Sequence, residues 1–165
     1  MRFVCLLVSL IMLIVLVITV CLKEVNFNWG CGDYLSRACN ASTPELAAAN
    51  LDQALAYMQA HDMTSGNTGV IWKQPANDVG YWYRNVLAVR DEVGTLSPSA
   101  SPLERSNVLM KLRESLSDGG PRGQTLAAPS LIAWWPHNTA IVLWGWVAIL
   151  LLAGSFITIL IKDGD

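Results

Sequence analysis

The sequence predicts an all-α protein in which two transmembrane helices frame a small extracytoplasmic antiparallel helical bundle. Three observations carry that expectation. Hydrophobic residues make up 53% of the 165-residue chain and charged residues only 15%, against roughly 45–50% and about 25% in soluble proteins. The imbalance is concentrated, because residues 3–22 and 139–161 contain no Asp, Glu, Lys or Arg. Between them, three stretches combine helical apolar spacing with N-cap residues. The chain divides into a first span (1–22), an extracytoplasmic bundle (23–118), an extended connector with a Trp-rich membrane-surface segment (119–138), a second span (139–161) and a cytoplasmic tail (162–165).

Residues 3–22 are mostly Leu, Ile, Val and Phe, and at ~1.5 Å rise per residue they cover about the 30 Å hydrocarbon core. The run exceeds the apolar stretch of a cleaved signal peptide and no A-x-A-like site follows it. An uncleaved signal anchor is therefore expected. Simple cleavage and a lipid anchor at Cys21 are the alternatives, although Val20 is bulky for a residue beside a lipidated cysteine. The second span opens among Trp134, Trp135, Trp144 and Trp146, with Lys162 at its far end. These five residues are candidate membrane-interface anchors, since amphipathic rings and snorkelling lysines settle at headgroup depth. With Arg2 and Lys162 on one side, both termini are expected in the cytoplasm of a bacterial inner membrane and residues 23–138 on the periplasmic side.

Within the exported segment a short helix is expected from about Asp33 to Cys39. The next starts at Thr43-Pro44-Glu45, which supplies an N-cap, a proline at N1 and an acidic first turn. Its stripe is Leu51, Leu55 and Met58. The most regular helix carries Val79, Trp82, Val86, Val89, Val93 and Leu96 at alternating spacings of three and four, capped by Asn77 or Asp78. A third full helix opens on the capping box Ser101-Pro102-Leu103-Glu104, buries Leu109, Leu112 and Leu116, and stops at Gly119-Gly120. Residues 63–75 read as a loop or one short strand around Val70-Ile71-Trp72, with Trp72 and Trp82 both available to the core. A domain this small is marginal alone, so a partner or the bilayer is a natural supplement.

Few residues point to chemistry. Cys31 and Cys39 lie where disulfides form, but eight residues of continuous helix span ~12 Å, beyond the ~7 Å Cα limit. A bridge needs the chain to bend, which Gly32 permits; free thiols or an intermolecular bond are the alternatives. No C-x-x-C pair, G-x-S-x-G elbow or phosphate-loop ending occurs. No catalytic, metal-binding or cofactor residues are therefore expected. His61 is expected to face the last carbonyls of its helix. His137 is expected to be an interfacial polar residue, with a pigment or haem contact as the sharper alternative. Tyr81, Trp82 and Tyr83 point about 100° apart on a helix, so a tyrosine must lie on a flank. Tyr81, Tyr83, Arg84 and Trp72 form the candidate partner interface, because aromatics and arginine dominate interface hot spots. Gly145, Ala148, Gly154 and Thr158 permit close helix packing in the second span.

Residues 51–116 resemble an uncharacterised group of small bacterial membrane proteins. The resemblance is carried by Ala54-Leu55-Ala56-Tyr57, Thr64-Ser65-Gly66-Asn67-Thr68, Lys73-Gln74-Pro75-Ala76-Asn77-Asp78-Val79-Gly80-Tyr81-Trp82-Tyr83 and Glu104-Arg105-Ser106-Asn107-Val108-Leu109-Met110-Lys111-Leu112-Arg113-Glu114. It implies a bacterial origin and no mechanism.

A net charge of −2 with no basic run argues against nucleic-acid binding. The expected function is a non-enzymatic accessory or scaffold subunit of a larger membrane assembly, of which respiratory and photosynthetic complexes are examples. Its partners would be a membrane protein complex and the lipid bilayer. The alternative is an extracytoplasmic ligand-sensing module acting through a partner protein, in which a small molecule would bind the exported domain.

Overall fold

An apolar run whose first downstream charge is Lys23 folds as one long helix, α1 (Arg2–Phe27). The computed structural model describes the backbone of residues 2–97, 99–120 and 123–163, and the side chains of 4–97, 99–117 and 126–158. The side chains of Arg2 and Lys162, on which the expected orientation rests, lie outside that set, as do residues 164 and 165.

At its far end α1 passes through a π-helical turn (Asn28–Gly32), in which the Asp33 N–H donates to the Asn28 carbonyl, into α2 (Asp33–Cys39) without leaving helical backbone. The apolar helix and the polar domain are therefore one continuous rod. Helix α3 (Pro44–Ala60) starts where the Thr43 hydroxyl accepts the Leu46 N–H at 3.3 Å. Ala47, Leu51, Ala54, Leu55 and Met58 form its buried stripe.

Asp78, rather than Asn77, caps α4 (Val79–Gly94), its Oδ1 accepting from the Tyr81 N–H at 2.8 Å. Val79, Trp82, Val86 and Val93 are buried and Val89 half-buried, as the three-four spacing requires. Gln59 Nε2 donates to the Tyr83 hydroxyl at 2.9 Å, and Arg90 grips both oxygens of Asp52 at 2.6 and 3.3 Å. One pair recedes along α3 as it advances along α4, so the two helices are antiparallel.

Both halves of the capping box are made at the start of α5 (Pro102–Leu116). This helix is tied to α2 by Arg113 Nε on the Cys39 carbonyl at 3.0 Å, and to α4 by Lys111 on Glu92 at 2.7 Å. Leu112 and Leu116 are buried, Leu109 only partly. The connector is not uniformly extended. Strand β1 (Ser117–Gly120) pairs antiparallel with β2 (Gly123–Leu126), Ser117 opposite Leu126. A 3₁₀ turn (Ile132–Trp134) then buries Ile132 and Ala133 in the core. Four-residue strands leave too short a pattern for periodicity to register.

Helix α6 (Asn138–Asp163) returns beside α1. Leu6, Ser9, Leu13, Leu16, Val20, Lys23 and Phe27 recur at spacings of three and four and are the covered side of α1. On α6 the matching seam is Ile141, Gly145, Ala148, Leu152 and Ser155, and a Cβ at Gly145 would touch Leu16 Cδ2 at 3.4 Å. Small residues at this seam let the backbones approach, whereas Gly154 has open space where a side chain would stand. The Ser9 and Ser155 hydroxyls donate to carbonyls of their own helices. Two helical segments, Val4–Cys39 and Asn138–Thr158, are long and apolar enough to cross a membrane. Their outward faces, including Leu7, Ile14, Ile18, Leu150 and Phe156, are bare.

The core joins Phe27, Cys31 and Leu35 of the long rod to the stripes of α3, α4 and α5. Trp72 does not belong to it and is 73% exposed. The end of the first apolar helix fills the place the sequence offered to that tryptophan: Phe27 packs 6.4 Å from both Tyr57 and Trp82.

Candidate functional site

The candidate site is built at the end of the helical domain nearest the α1–α6 pair. Lys23 Nζ stands 3.5 Å from the carbonyls of both Trp134 and Trp135, one helical turn before Phe27. The Trp135 indole N–H donates to the Asp62 carbonyl at 3.0 Å, beyond the end of α3. Its ring lies where a Gly66 side chain would stand, and Gly66 holds a φ of +107° that favours glycine. Trp134 and Trp135 are thus half-buried in the domain, while Trp144 and Trp146 are exposed along α6.

His61 is the C-cap of α3, its Nδ1 2.9 Å from the Tyr57 carbonyl and its ring stacked on Tyr57 at 3.9 Å. Burial pushes the Tyr57 phenol above its ordinary value. His137 is exposed in the turn before α6, its N–H bonded to the Trp134 carbonyl. Among the described residues no three His, Cys, Asp or Glu side chains gather in a metal-binding group.

The bridge considered between Cys31 and Cys39 is not formed. Both thiols are free and buried, because the π turn continues the helix instead of bending it. Eight residues of helical rise separate the two cysteines by ~12 Å.

Beside α4 a groove of about 680 Å³ opens between its first turns, the end of α5 and residues 127–130. Pro75, Leu116, Ala128 and Pro129 give it apolar walls, and Asp78, Asn85, Ser115 and Ser130 place polar groups among them. Tyr81 lies along it, 58% exposed. Tyr83 is on the opposite flank, its hydroxyl engaged by Gln59, and Arg84 is exposed. Of the four residues of the expected interface, Tyr81 and Tyr83 lie on different sides of α4. Tyr81 belongs to the groove, Tyr83 to the α3–α4 contact and Trp72 to the loop between those helices.

That loop is closed at its base. The Val79 N–H donates to the Gly66 carbonyl at 2.9 Å and the Thr68 N–H to the Asn77 carbonyl at 3.0 Å. Asn67 braces the interior, giving its amide to the Gln74 carbonyl and accepting the Gly69 N–H, both at 2.9 Å. Met63 and Thr68 are buried, but Ile71 and Trp72 at the tip are 67% and 73% exposed. Sequence reasoning missed the groove walls at 127–130, since only the returning connector brings them to α4. The Pro129 and Pro75 breaks were the signal available. No family model, curated protein or solved structure matches the chain, so the likeness of residues 51–116 to small bacterial membrane proteins gains no support from them.

Proposed function

We propose that this chain is a two-pass membrane protein acting as a non-enzymatic accessory or scaffold subunit of a larger membrane assembly, its groove beside Tyr81 being the partner contact. The observation that carries the reading is the half-exposed Tyr81 ring along an open, mixed apolar and polar groove. Interfaces of this kind anchor on aromatic rings set in pockets. The antiparallel seam of α1 and α6 supports a membrane hairpin with both termini on one side, here taken as the cytoplasm, and the domain between them on the other. Such a domain offers a rigid platform, because its core is continuous with the first span.

The test is affinity purification from native membranes in digitonin, then native electrophoresis and mass spectrometry. Stoichiometric co-purification with a defined complex, weakened by Tyr81→Ala, is expected. A chain that runs alone overturns the subunit reading.

The same groove supports a second reading as a ligand-sensing module. Its volume lies within the ~300–1,000 Å³ of small-molecule sites, and four polar side chains converge on it. A ligand of the native fold raises its apparent stability by mass action. Thermal-shift screening of the full chain in detergent tests this, and no shift with any compound overturns it.

A further inference from the structure

We infer that the tip of the α3–α4 loop, Ile71 and Trp72 with Lys73 beside them, inserts into the headgroup–acyl boundary of the bilayer as a third membrane contact. The inference rests on reading α1 and α6 as membrane spans. Its first support is position. Lys23 is the first charge after the apolar run, and it stands level with Trp134 and Trp135, just before α6 begins. That level marks where both helices leave the hydrocarbon. One turn further along, Phe27 packs on Tyr57 near the end of α3 and on Trp82 in the first turn of α4. Those two helices are antiparallel, so the loop joining them closes the domain at this same end. Trp135 fixes its level, bonding Asp62 at 3.0 Å and covering Gly66.

The second support is composition and rigidity. Residues 70–73 read Val-Ile-Trp-Lys, and the two largest apolar side chains are 67% and 73% exposed. The loop is held shut by the Gly66–Val79 and Thr68–Asn77 backbone bonds and by Asn67, so the pair is presented on a braced base. Contiguous exposed apolar surface rimmed by polar residues is a mark of protein or membrane contact, and here the two adjacent side chains stand side by side with Lys73. Tryptophan concentrates at membrane interfaces, where its ring is apolar and its N–H stays wet, and an adjacent lysine can meet lipid phosphate. At the distal end, Leu96 is half-covered and Leu103, in the first turn of α5, is 69% exposed, but Leu103 is followed by Glu104 and that end carries no tryptophan.

The test uses the full chain in phosphatidylcholine nanodiscs whose acyl chains carry bromine at a series of depths, with tryptophan emission as the readout. Trp72→Phe and Trp146→Phe are compared with the wild type. If the loop inserts, losing Trp72 lowers the bromine-quenched fraction, most with shallow bromines, and losing Trp146 lowers it with deeper ones. If removing Trp72 instead raises the quenched fraction or leaves it unchanged while Trp146→Phe lowers it, the spans stand and the insertion is overturned. No loss with Trp146→Phe overturns the spans and the insertion together. Trp72 is outside the core, so its replacement leaves the fold readable, and circular dichroism checks that.

Discussion

The Tyr57 ring fills the space that a side chain at Gly30 would need: a Cβ on Gly30 would overlap Tyr57 Cε2 and Cδ2. This contact closes α3 onto the π-helical turn that carries the first apolar helix into the domain. Tyr57 cannot swing away freely, being held between Phe27 and the stacked His61 ring. Gly30→Ala should therefore destabilise the full chain by about 1–3 kcal/mol, the usual cost of overpacking, despite the ~0.5–1 kcal/mol that alanine gains over glycine in a helix. Thermal unfolding in detergent measures it. Adding Tyr57→Ala to Gly30→Ala should cost less than the sum of the single changes, as contacting sites are not additive.

Asp78 caps α4 and stands at the base of the loop that carries Trp72. Asp78→Ala should cost ~1 kcal/mol, the typical loss of an N-cap. Denaturant unfolding followed by circular dichroism gives the value, and Asp78→Ser should restore most of it.

Trp135 couples the connector to the end of α3 through its indole N–H on Asp62. Replacing it with Phe removes the donor and also the outer indole atoms that cover Gly66, which should cost at least ~1 kcal/mol. Amide hydrogen exchange should rise in residues 62–68 ahead of the α3 core.

Acid should loosen the helix starts. Glu104 is held below the ordinary carboxylate range by the Ser101 N–H and then the Ser101 hydroxyl. Glu45 is held low by its own N–H and by the Thr43 hydroxyl, with Arg105 adding charge. A carboxylate depressed in the folded state stabilises fully above its unfolded pKa, and that contribution disappears as pH falls through the folded value. Unfolding midpoints should thus decline below about pH 5, and Glu104→Gln should flatten part of the decline. An unchanged slope would contradict the assignment.

Cys31 is fully buried and Cys39 nearly so, and both are free. Maleimide in non-denaturing detergent should leave them unmodified and label both after unfolding. Non-reducing mass spectrometry should show no internal bridge.

Local rules placed the helices. Thr43, Ser101 and Glu104 are caps that act within one turn, and the three-four spacing from Val79 to Val93 sets a buried face by helical geometry alone. The two apolar runs are legible for the same reason, since span length and charge exclusion are written residue by residue. What the chain does with its aromatics was not. The reading of the sequence offered Trp72 to the core beside Trp82, and nothing local marked Phe27, just past the first apolar run, for that place. Only the continuation of α1 through the π turn carried Phe27 between Tyr57 and Trp82, leaving Trp72 outside. The same continuation kept Cys31 and Cys39 apart. The groove beside Tyr81 needed the connector to return to α4, a contact between residues some 50 apart in sequence. Periodicity reports a residue's own face, whereas the choice of what covers that face is made by distant segments, and that choice belongs to the tertiary structure.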